Sequence, residues 1–203
     1  MLEVCKEIQI PSKKWIYFKG NSGTGKTTVI QILLKIIAND YADFFQYRNY
    51  DMNAIRKYII LVKSSGDIFQ NETVEYNVMF GMDNPPISTI KYYFELFELG
   101  NYDEIKDKCA DKLSTGEKQR IRVIHTILQV ITNKQKRVLI LDEITSNIDE
   151  TTETIIMNEL RRLQIEYSLS VIHISHSGGH VRYCDNLMRI VDKNIYLSEI
   201  CDM

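Results

Sequence analysis

The chain has 203 residues, a formal net charge of −2 and a pI near 6.1, which allows one domain with a sizeable core and gives no electrostatic footprint for nucleic acid. Hydrophobic content of 44% and charged content of 26% are those of a soluble globular protein, and no run approaches the roughly 18 apolar residues of a membrane span. Glu3, Lys6 and Glu7 argue against a secretion signal, and Cys5, Cys109, Cys184 and Cys201 lack C-x-x-C spacing, so reduced thiols are expected instead of a disulfide or zinc framework.

In chain order, a short strand is expected around 8–10, a polar turn at 11–14, and a buried strand at 15–18, both strands at one sheet edge. Gly20-Asn21-Ser22-Gly23-Thr24-Gly25-Lys26-Thr27 follows, then a helix over 28–39 with apolar residues at 29, 30, 32, 33, 34, 36 and 37. Residues 58–62 read as another buried strand, 64–72 as loop, and 73–81 as a short helix stopped by glycine. Pro85-Pro86 opens a helical lobe over 87–112, with Tyr92, Tyr93, Phe94, Leu96, Phe97 and Leu99 before Gly100. Ser114 reads as an N-cap and Glu117 completes a capping box, opening a helix to about 131 that takes in His125 as a structural residue.

A basic turn at 133–137 leads into a strand at 138–141 that ends in Asp142-Glu143. A helix over 149–163 turns Ile155, Ile156, Leu160 and Leu163 inward, a strand at 170–175 ends at His176, and a hairpin of 187–191 with 195–197 closes the chain. Strands alternating with helices predict an α/β fold with a mostly parallel sheet covered on both faces.

The stretch from Gly20 to Thr27 fits G-x-x-x-x-G-K-[ST] and lies between a strand and a helix, the context in which backbone N–H groups and a helix N-terminus hold a polyphosphate. Lys26 supplies a point charge, Thr27 an oxygen for Mg²⁺, and Thr28 continues the helix start. Asp142, expected on a strand next to the phosphate strand, suits the Mg²⁺ shell, and Glu143 suits a water in line with the terminal phosphate. His173, His176 and His180 suggest a metal cluster, but residues three apart on a strand face opposite sides, which argues against shared ligation by the first two.

Leu113-Ser114-Thr115-Gly116-Glu117-Lys118-Gln119-Arg120, 28 residues before Asp142, resembles the signature of the ABC ATPases. Ser146-Asn147-Ile148-Asp149 is similar to that family's D-loop, His176 to its switch histidine, and 73–81 to the segment after the Q-loop in exporter nucleotide-binding domains. The resemblance covers nearly the whole chain and implies a P-loop NTPase core (1–72 and 113–203), a helical subdomain (about 73–112) and a reduced N-terminal antiparallel part. It also implies ATP and Mg²⁺, with Gly20, Asn21, Ser22, Gly23, Thr24, Gly25, Lys26, Thr27 and Thr28 on the nucleotide and Thr27 and Asp142 on the metal. Glu143 and His176 are then catalytic, Ser114, Thr115, Gly116 and Glu117 act in trans, and Ser146 and Asp149 belong to the D-loop.

The partners implied are a second ABC subunit and a separate membrane-spanning subunit, at the cytoplasmic face of a membrane, with neither nucleic acid nor membrane insertion. The chain departs from the family at the Q-loop, where Ser64 or Ser65 replaces glutamine, at Thr115 and Glu117, and in lacking the upstream aromatic residue that stacks on adenine. Two alternatives stay open: a non-transport ABC ATPase of the SMC or RecF-like kind, and a degenerate subunit that binds ATP with little turnover. Ser114 lies 88 positions after Lys26, which matches the transporter spacing, without a long inserted coiled coil.

Overall fold

The structure, a computed structural model, describes residues 10–21, 23–34, 56–64, 68–175, 178–191 and 194–200. Among the described residues six strands form one sheet in the order β2-β3-β4-β1-β5-β6: β1 Trp15–Lys19, β2 Ile59–Lys63, β3 Val138–Asp142, β4 Ser170–Ile174, β5 Asn186–Val191 and β6 Asn194–Glu199. The pairs β3/β4, β4/β1 and β1/β5 are parallel and β5/β6 is an antiparallel hairpin, so the expected mostly parallel α/β sheet is present. Two expectations need correction. The phosphate strand β1 lies inside the sheet, between β4 and β5, and not at an edge. The acidic strand β3 is not its neighbour either, because β4 is inserted between them. Apolar runs identify buried strands but carry no information on which of them adjoin. The strand expected at 8–10 lies outside the described residues.

Among the described residues the α-helices are α1 Lys26–Leu33, α2 Val74–Met79, α3 Ile87–Leu96, α4 Tyr102–Ile105, α5 Thr115–Thr132 and α6 Glu150–Glu166. Contacts divide the chain into two compact units, one of Met1–Leu61, Gln135–Glu143 and Ser168–Met203, the other of Val62–Lys134 and Ile144–Tyr167.

In the first unit the period of two along the strands sends alternate side chains to opposite faces. Ile16 and Phe18 join Ile140, Ile172, Ile174 and Met188, together with Val29, Ile30 and Leu34 from α1 and its end, in one buried cluster. Burying each such side chain contributes about 1.5–3 kcal/mol, and this cluster is what seats α1 and the loop before it. Trp15, Tyr17 and His173 belong to the other alternate set; the His173 ring meets both aromatics edge-on and stacks on His180 at 4.9 Å. Burial, with His180 adding to it, pushes His173 down to about 3.

In the second unit α5 buries Ile121, Ile124 and Leu128, one helical stripe. His125 on the same helix is structural, as expected. Gln129 Nε2, donor only, lies 3.0 Å from its Nε2, which makes that nitrogen the acceptor and leaves Nδ1–H to donate to the Val78 carbonyl at 3.1 Å. On α6, Ile156, Leu160 and Leu163 are buried as expected and Met157 joins them, whereas Ile155, one step off that stripe, is only half buried. Tyr93 of α3 donates to Glu159 of α6 at 2.7 Å, and Arg162 grips the same carboxylate through two nitrogens at 2.7 and 2.9 Å. This chelated geometry fixes α3 on α6. The segments 70–75 and 106–111 are also laced together: the N–H groups of Val74 and Glu75 donate to the carbonyls of Lys108 and Lys106, and those of Ala110 and Asp111 to Glu72 and Gln70.

Candidate nucleotide site

The loop after β1 turns because Gly23 and Gly25 take φ of +78° and +91°, which side chains disfavour. Thr24 folds inward and donates its hydroxyl to the Asn21 carbonyl at 2.9 Å. Lys26, only 5% exposed, is tied back onto the loop it follows, its Nζ donating to the carbonyls of Gly20 at 2.7 Å and Asn21 at 2.8 Å. Burial lowers the Lys26 ammonium, while Glu143 and Asp142 pull in the opposite direction. Thr27 and Thr28 begin α1 with exposed side chains. Ser22 lies outside the described residues.

Thr27 donates its hydroxyl to Asp142 Oδ2 at 3.1 Å, joining residues 115 positions apart in the chain. The interposed β4 therefore does not prevent the contact that the sequence pattern suggested. Side by side, a threonine hydroxyl and a buried carboxylate are the oxygen donors that a hard divalent cation prefers, so this pair fits Mg²⁺. Glu143, next in the chain, takes φ of +55°, the left-handed region that non-glycine residues seldom occupy, while its N–H donates to the Ile174 carbonyl at 2.9 Å. Such a conformation persists where surrounding bonds over-determine it, and it recurs at functional sites. Nothing in the sequence announced it. His176 lies outside the described residues.

The signature segment belongs to the second unit. Ser114 caps α5 through the box expected from sequence: its Oγ accepts from the Glu117 N–H at 3.2 Å and its own N–H donates to Glu117 Oε2 at 2.8 Å. Hydrogen bonding from Ser114 holds the Glu117 carboxyl below the usual carboxylate range. Thr115 is exposed at the helix start, and Gly116 lies under the loop that follows Glu143. Within that loop Ser146 is exposed, and Asp149 caps α6 by accepting from the Thr152 N–H at 2.9 Å. Ser64, one candidate for the Q-loop position, receives Arg122 on its backbone carbonyl at 2.7 Å, and Ser65 lies outside the described residues. Sequence reasoning placed Asn147 and Gln119 in the segments that resemble the D-loop and the signature but gave them no role; they join this loop to α5 at 3.2 Å. Among the described residues no group of three or more metal-ligating side chains is present, and His173 meets His180 by ring stacking.

A strand-loop-helix with Lys26 inside it, an Asp142 carboxylate on Thr27, and a capped signature helix define an ABC-type ATPase domain. The family model for ABC transporters matches residues 6–146, and the chain belongs to that family. It is 29% identical over 206 residues to the energy-coupling factor transporter ATP-binding protein EcfA2 of Clostridium acetobutylicum, spanning 94% of this chain and 70% of that protein. It is 30% identical over 190 residues to the ABC transporter ATM1 of Plasmodium falciparum, where 88% of this chain corresponds to only 17% of that protein. Among solved structures, the ATP-binding cassette MJ0796, a dimer in a post-hydrolysis state bound to ADP and Pi, shares the fold with a TM-score of 0.76 at 18% identity, covering 97% of this chain and 89% of that one. Among the described residues no helix is long and apolar enough to cross a membrane.

Proposed function

We propose that the chain binds and hydrolyses ATP at a composite site in a dimer, and that this cycle powers export through a separate membrane-spanning subunit at the cytoplasmic face of a membrane. The observation that carries the reading is the 3.1 Å contact between Thr27 and Asp142 beside a Lys26 that is buried in the phosphate loop. The loop N–H groups from Gly23 to Thr27 and the start of α1 favour a polyphosphate. Lys26 exchanges its two carbonyl partners for phosphate oxygens, and Thr24 and Asn21 shape the loop around them. Thr27 and Asp142 hold Mg²⁺, whose chemistry there is neutralisation of the charge on the outer phosphates. Glu143 orients and deprotonates the attacking water, and His176 contacts the terminal phosphate.

The partner's Ser114, Thr115, Gly116 and Glu117 close the site, presenting the N-terminus of their helix to the same phosphate, with Ser146 and Asp149 in the adjoining loop. In this reading 73–112 is the helical subdomain of a core formed by 1–72 and 113–203, and the similarity of 73–81 to exporter domains supports the direction of transport. ATP turnover of the wild type is compared with Glu143→Gln and Ser114→Arg, with sizing in ATP. Slow hydrolysis that both changes abolish, and an ATP-stabilised dimer for Glu143→Gln, are expected. Equal turnover in all three overturns the enzyme reading, and stimulation by DNA moves the protein to the SMC and RecF-like class.

A further inference from the structure

Two parts of the second unit approach each other more closely than capping or hydrophobic packing requires. A Cβ on Gly116 would lie 2.9 Å from the Asn147 backbone oxygen, a distance that real side chains essentially never show and that backbone on both sides cannot easily relax. One turn further along α5, on the same face, the buried Gln119 accepts a hydrogen bond from Asn147 Nδ2 at 3.2 Å. An amide nitrogen carries two hydrogens, and the same Nδ2 also lies 3.2 Å from Ser146 Oγ. The Asn147 amide thus bridges a buried residue of the signature helix and the exposed hydroxyl of the loop. Ser146 accepts in this bond and keeps its own proton to donate outward. Asn147 itself is exposed, so its bonds add little to the stability of the chain, and their effect is to fix the orientation of the loop.

We propose that Asn147 is a positioning residue that locks the loop 146–149 to the start of α5, so that Ser114, Gly116 and Ser146 are presented to a partner's nucleotide as one rigid piece. This rests on the composite-site reading above and extends it to residues that touch no nucleotide themselves. Gly116 is required for the backbone half of the lock and Gln119 for the side-chain half.

The test uses the full chain with Asn147→Ala, Gln119→Leu and the double variant, scored for ATP turnover, KM and thermal unfolding. Each is repeated in a Glu143→Gln background for the ATP-dependent dimer. Loss of the bond that ties the loop to Gln119 predicts a kcat lower by about three- to tenfold for Asn147→Ala, with KM changed by less than about twofold. The loop that binds phosphate in the same subunit is not touched. The ATP-dependent dimer weakens by a similar factor, Tm moves by less than about 2 °C, and the double variant is no worse than the poorer single one.

Wild-type turnover with Asn147→Ala indistinguishable from it overturns the positioning role alone. So does full additivity in the double variant, or a loss of turnover that tracks a loss of folded protein. A wild type that neither hydrolyses ATP nor dimerises in its presence overturns the composite-site reading and the positioning role with it.

Discussion

The loop of 20–27 and the start of the signature helix are both built from glycine, serine and threonine, yet they reach their geometry in opposite ways. In the phosphate loop the backbone makes the shape, through positive φ at Gly23 and Gly25, and the one long side chain, Lys26, is held by two carbonyls of its own loop. In the proposed function those bonds are exchanged for phosphate oxygens. At the signature helix side-chain bonds make the shape, through the reciprocal Ser114 and Glu117 cap and the Asn147 bond to Gln119. Those bonds lie within the chain and involve no ligand. One half of the proposed site is therefore adaptable and the other preformed, and substitutions in the two halves are expected to read out differently.

The largest contrast is expected from Lys26→Ala. It removes the only charge in the loop of 20–27 and should lower kcat/KM for ATP by at least about 100-fold, a far larger effect than the modest fall in Tm expected from the two carbonyls it leaves; a loss under tenfold breaks the comparison. Gly116→Ala acts on the preformed half. The new Cβ forces backbone apart, so stability should fall by about 1–2 kcal/mol, seen as a drop in Tm without ATP, and turnover should fall with it. Next comes acid. His173 is held down to about 3 by burial and by His180, against an ordinary value of about 6.5 when unfolded. Below pH 6.5 the unfolded chain therefore binds a proton that the folded chain refuses, and stability is lost as pH falls from 6.5 toward 3, by about 1.4 kcal/mol per pH unit from this group. His173→Leu should flatten the slope of Tm between pH 7 and 5.

The smallest effect concerns Glu117. Its lowered pKa contributes stability that is present at neutral pH and disappears as pH falls below the usual range near 4.3. Glu117→Ala should cost about 0.5–1 kcal/mol at pH 7, and this difference from wild type should shrink at pH 4.

Local chemistry in this chain was legible before any fold was known. The cap at Ser114 with Glu117, the glycine stop at Gly81 with φ of +71°, and the Pro86 start of α3 all follow from residues within a few positions of one another. The phosphate loop and the acidic end of β3 were legible for the same reason. Long-range order was not. Every strand here reads as a short apolar run, and such runs do not encode neighbours, so the insertion of β4 between β1 and β3 stayed hidden. The left-handed backbone of Glu143 and the lock made by Asn147 were hidden too, because each is imposed by groups far away in sequence, Ile174 in one case and Gly116 with Gln119 in the other.

The lacing of 70–75 to 106–111 has a consequence for how this protein tolerates change. Both ends of the intervening excursion are pinned side by side by backbone bonds that use no side-chain identity. Its far turn, at Asn84 with φ of +49°, is exposed. Chain added at that turn begins and ends at the same place and leaves the pinned ends undisturbed, because lengthening a loop adds closure entropy only slowly. The excursion is thus the natural port for grafting a reporter or an extra recognition element onto this domain.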